Sequence, residues 1–172
     1  MNVMCAEGGA PWSGQSERGT MIGTEDVRGV EVHEQFAKQL FNLVWDLLDK
    51  EDRTAEDNDR MIHAAHASRF HWGEVGAALE FARGEWQVSR VYSVLGMPEG
   101  AIYHGERSLA LCEANGIGDF DLAFAYEALA RGYAVAGDAS NMAEYVGLAG
   151  KAAEEIEDEG NREYFHSELA TV

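Results

Sequence analysis

The sequence predicts an all-α fold of stacked antiparallel hairpins, about seven helices in all. Three observations predict it. From residue 31 onward apolar residues recur at i, i+3 and i+4, the period of one helix face. No window alternates apolar and polar residues over the length of a strand. Gly-punctuated helical stretches follow one another through short turns, which sets neighbouring helices antiparallel.

Residues 1–28 are rich in Gly, Ser and Thr and lack apolar periodicity. They are expected to form a flexible leader ahead of a single helical-repeat domain at 29–172, with Trp12 the one residue able to anchor an arm on the body. The first helix carries Phe36, Leu40, Val44 and Leu47 on one stripe and Phe41 and Leu48 beside it. Glu51, Asp52 and Arg53 break the pattern, and Thr54 is a fair N-cap for a second helix at 55–72, with Glu56 and Asp57 in its first turn. Gly73 and Gly76 end it. The third helix runs to Leu95, with Gly96 placed for a left-handed turn, and Pro98 suits the first turn of the fourth. Asn115-Gly116-Ile117-Gly118 stops that helix, and Asp119 is read as the cap of the fifth, which ends at Gly137. The sixth spans 141–157, and Gly160 precedes a short seventh.

With 13 Lys and Arg against 31 Asp and Glu, the chain carries a formal charge of −18. Nucleic acid and anionic lipid are poor partners for such a surface, because both call for basic residues. No segment reaches the roughly 20 apolar residues of a membrane span. Cys5 and Cys112 make no disulfide framework, so a reducing cytoplasm is the expected location. Phosphate-loop, nucleophile-elbow and C-x-x-C motifs are missing, and Gly116-Ile117-Gly118 follows no strand. No cofactor is expected.

An internal repeat organises the middle of the chain. Arg90 and Tyr92-Ser93-Val94-Leu95-Gly96 match Arg131 and Tyr133-Ala134-Val135-Ala136-Gly137 at an offset of 41. After the turn, Ala101-Ile102-Tyr103-His104-Gly105 matches Ala143-Glu144-Tyr145-Val146-Gly147 at an offset of 42. On this alignment Gly105 and Gly147 both fall at helix crossings. The positions Tyr92, Gly96, Ala101 and Ser108, and again Tyr126, Leu129, Ala130, Tyr133 and Gly137, resemble the tetratricopeptide repeat. The period of 41–42 exceeds the usual 34 or so of that family. The resemblance covers about 80–157, with 31–72 as a degenerate first hairpin. It implies a right-handed array whose first helices line a concave groove for a ligand or peptide.

Two sets of residues carry the expected chemistry. Arg83, Trp86, Gln87 and Arg90 lie opposite the apolar stripe of the third helix; Phe124, Glu127, Ala128 and Arg131 do so on the fifth. By the resemblance these positions face the groove, where Arg90 and Arg131 would clamp an anion over an aromatic floor. The plainer alternative is local pairing, such as Glu127 with Arg131 at i, i+4. His63 and His66 share a face of the second helix, one turn after Asp59, and point to a polar pocket, an acid–base pair or the start of a metal site. No third ligand is identifiable, so no metal is expected. His33, His104 and His166 read as isolated and exposed. The leading expectation is a cytoplasmic groove-binding protein for an anionic small molecule or a partner segment. The alternatives are a small enzyme with a histidine site in the same groove, and a structural homodimer.

Overall fold

The computed structural model describes the backbone from residue 24 to 172 and the side chains from residue 29. Seven helices follow one another: α1 (Thr24–Leu48), α2 (Ala55–Val75), α3 (Ala78–Val94), α4 (Pro98–Asn115), α5 (Asp119–Ala136), α6 (Ala139–Ala153) and α7 (Glu159–Leu169). No strand occurs among the described residues. Helix α1 already begins at Thr24, inside the segment read as leader; Cys5 and Trp12 lie outside the described residues.

Local chemistry sets the ends. Thr54 accepts from the backbone N–H of Asp57 at 3.2 Å, and the Asp57 carboxylate accepts from the Thr54 N–H at 2.9 Å, a reciprocal cap. Gly96, Gly116 and Gly137 take φ of 71°, 64° and 73° where α3, α4 and α5 end. Asp119 does not cap α5. Gly118 holds that position, and Asp119 is the first helical residue, at φ 54°. Helix α2 continues past Gly73 to Val75, and α6 occupies 139–153 rather than 141–157. Asp158 caps α7, accepting from Asn161 N–H at 2.8 Å, so Gly160 sits inside the first turn.

The helices pack as adjacent pairs, α1 on α2, α3 on α4 and α5 on α6, and α3 touches both α1 and α5. Buried serines stitch the pairs through carbonyls: Ser68 donates to Ala37 at 2.8 Å, Ser89 to Ala101 at 2.7 Å and Ser108 to Ala82 at 2.9 Å. The register of the repeat is 41 on both sides of the turn. Pro98 and Ala139 open α4 and α6, 139 − 98 = 41 apart. Tyr92 stacks on His104 at 5.7 Å and 10°, and Tyr133 on Tyr145 at 5.5 Å and 10°, again 41 apart at both positions. The same step joins Trp45 to Trp86 and Trp86 to Glu127, which extends the repeat to α1.

This register corrects the reading of the second glycine. A Cβ on Gly105 would meet Leu129 Cδ2 at 3.1 Å and Ser89 Oγ at 3.4 Å, so Gly105 is a crossing point. Its counterpart is Val146. Gly147 lies one residue further round the helix, exposed, with nothing within 4 Å of its Cβ position.

Candidate functional site

The side chains expected to line a groove converge, and α7 covers them. Trp45, Trp86 and Phe124 run across α1, α3 and α5 as an aromatic row, with ring centroids 5.7 and 5.4 Å apart. Phe165 of α7 meets Phe124 edge-on at 4.9 Å and is fully buried. Tyr164 and Leu169 pack against the same cluster. The seven-helix sequence places this stopper naturally: five residues link α6 to α7, enough for the chain to turn back.

Beside the aromatic row lies a charged network. Glu127 is fully buried, and its Oε1 accepts from Arg131 Nε at 2.6 Å and from Arg90 at 3.3 Å. Arg90 also donates to the Glu168 carboxylate at 2.8 Å, and Arg131 to Thr171 Oγ1 at 2.8 Å and the Glu168 carbonyl at 3.1 Å. The two arginines meet at Glu127 and Glu168, so the anions they hold are the protein's own. Arg83 makes a bidentate pair with Asp121 at 2.6 and 2.9 Å, which raises the guanidinium's already high pKa. Gln87 is buried and donates to the Phe41 carbonyl at 3.0 Å. A shallow cleft borders Trp86, walled by Phe120 and Phe124 and by the Arg83–Asp121 pair.

Four buried polar atoms around the groove have no hydrogen-bond partner among the described residues: Trp45 Nε1, Trp86 Nε1, Gln87 Oε1 and Glu127 Oε2. Such atoms are rare in folded proteins and mark unspent hydrogen-bonding capacity.

The histidines lie elsewhere. His63 and His66 are both exposed residues of α2, and His66 lies against Tyr92 of α3 and His104 of α4. His66 Nε2 hydrogen-bonds the Tyr92 hydroxyl at 2.9 Å; neither histidine touches Trp86, Arg90 or Arg131. Burial and the neighbouring His104 push the His66 pKa down. Among the described residues no group of three or more His, Cys, Asp or Glu side chains is arranged to hold a metal ion.

Sequence reasoning missed a second polar centre. His104 is not isolated: its Nδ1–H donates at 2.7 Å to the carboxylate of Glu85, a buried acid of α3. Arg69 and Arg107 reach the same carboxylate. Burial would raise the Glu85 pKa, but the His104 hydrogen bond and the two guanidiniums outweigh it and the net shift is downward. The available signal was Glu85 inside an apolar stripe. His33 is likewise paired, with His71 at 3.0 Å between Nδ1 atoms.

Comparison with family models, with curated proteins and with solved structures gave no match. The assignment of function rests on the site itself.

Proposed function

We propose that this chain is a tetratricopeptide-like binding protein whose groove, lined by Trp86, Arg90 and Arg131, takes an acidic amphipathic helical segment of a partner. The observation that carries this reading is the seating of α7. Its Phe165 packs on Phe124, and its Glu168 carboxylate lies on Arg90, one helical turn apart on one face. The groove thus accepts an aromatic anchor followed at i+3 by an acid, the pattern of helix-in-groove recognition. A partner segment carrying the same pattern competes with α7 for the same contacts. Of the two ligand types expected from the sequence, the segment is favoured over a free small anion, because the arginines are flanked by a long aromatic row.

No described helix is long and apolar enough to cross a membrane. We place the protein in the cytoplasm, on its acidic composition and on Cys112, a free buried thiol that burial pushes up to about 11 and so keeps unreactive.

A labelled peptide of residues 158–172 tests the reading. The tethered α7 occupies the groove at high effective concentration, so Phe165→Ala in the full chain, which loosens it, should raise peptide affinity by about tenfold or more. Adding Arg90→Ala to that variant should remove the gain. No saturable binding to the Phe165→Ala chain would contradict the proposal.

A further inference from the structure

The Glu85 centre faces α2 and α4, away from the covered groove. Glu85 Oε1 accepts from Arg69 Nε at 3.0 Å and forms an ion pair with Arg107 Nε at 3.1 Å, and Oε2 pairs with His104 Nδ1 at 2.7 Å. His104 stacks on Tyr92 and meets the His66 ring at 5.2 Å, while Arg107 lies over Tyr103. No hydrogen bond joins His104 Nε2 to any described residue.

The third hairpin serves as an internal control. At an offset of 41, Glu85 corresponds to Tyr126, His104 to Tyr145, Arg107 to Leu148 and Tyr92 to Tyr133. The Tyr133–Tyr145 stack has the same 10° angle as the Tyr92–His104 stack. Packing at these positions is therefore met by uncharged side chains one repeat later. Burying charge where packing does not demand it carries a desolvation cost, and apolar replacement of such networks is often neutral or stabilising. Charge balance indicates its use. Two guanidiniums share one carboxylate, so the centre carries 2 − 1 = +1 before either imidazole is protonated, in a chain of net −18. Arg107 is half-exposed, and its pairing with Glu85 through Nε leaves the two terminal nitrogens of the guanidinium as further donors.

We infer that Arg107, His104 and His66 form a binding site for a phosphate-type oxyanion over the part of α3 that α2 and α4 flank. Glu85 is its positioning residue, holding the His104 ring and the Arg107 fork in place. Bidentate guanidinium and imidazolium donors suit a doubly charged oxyanion. The other groups facing the histidines are His63 and Arg69 on α2, Tyr92 on α3 and Tyr103 on α4.

Inorganic phosphate titrated into the full chain, read by histidine side-chain NMR, tests this. The expected result is saturable shifts of the His66 and His104 signals and a higher His66 titration midpoint with phosphate bound. Arg107→Gln should keep the helical circular dichroism and weaken binding about tenfold. Acetate should bind about tenfold more weakly than phosphate, having one charge. A combined Glu85→Tyr, His104→Tyr, Arg107→Leu chain, copying the third hairpin, should fold and not bind. Unsaturable shifts, unchanged affinity in Arg107→Gln, or equal binding of acetate would overturn the assignment. Failure of the combined variant to fold would overturn the argument from the repeat.

Discussion

Gly105 and Gly147 show how one residue of register decides the fate of a side chain. Both sit inside helices, where glycine costs up to about 1 kcal/mol relative to alanine. Gly105 recovers that cost through the approach of Leu129; Gly147 has open space around it. Gly147→Ala should therefore stabilise the protein by about 0.5–1 kcal/mol, whereas Gly105→Leu should destabilise it by about 1–3 kcal/mol through overpacking. Denaturant midpoints of the two variants check both signs. The sequence could not separate them, because after the turn the string favours an offset of 42 through the Ala, Tyr and Gly identities, and only helix packing selects 41. The acid–base groups give a pH signature. His66 is held below its ordinary 6.5, so the unfolded chain takes up the proton first and stability falls as pH drops through 6.5 toward the lower folded value. Glu85 is held below 4.5, so its contribution is present above 4.5 and is lost as pH falls through the lowered folded value. Unfolding midpoints measured against pH should slope upward with pH in both windows, and His66→Gln should flatten the upper one.

At the level of elements, helix existence was legible and helix environment was not. Thr54, Gly96, Pro98 and Gly137 act locally, through caps and backbone conformation, so their roles could be read from the string. What covers a helix is a long-range fact. Trp86, Gln87, Phe124 and Glu127 are all buried: Phe165 of α7 packs in the cluster of Trp86 and Phe124, and α1 receives Gln87. Nothing within α3 or α5 encodes the packing of α7; the signal lay in Phe165 and Glu168, about 40 residues downstream of the groove residues on α5. Glu85 and His104 escaped notice for the same reason, since their pairing spans two helices. Helix α7 depends on few anchors. Asp158→Ala should cost about 1 kcal/mol by removing its N-cap, and Phe165→Ala about 3–5 kcal/mol by emptying its packing site. Thermal unfolding of the two variants should rank them in that order.

For the whole molecule, three hairpins in a 41-residue register build a stack, and the last helix closes its first-helix side. Repeat arrays bury a continuous core only where neighbours meet, so their surfaces are free to specialise. Here one side carries the aromatic row and paired arginines beneath α7, and the other carries the Glu85 centre between α2 and α4. The central claim is that α7 occupies the groove as a separable segment. Native-state hydrogen exchange, resolved by residue, tests this most directly. The account predicts that α7 amides exchange through a local opening well below the global unfolding free energy, and that Phe165→Ala abolishes their protection while α3 and α5 keep theirs. Exchange of α7 only through global unfolding, together with α3 and α5, would contradict it.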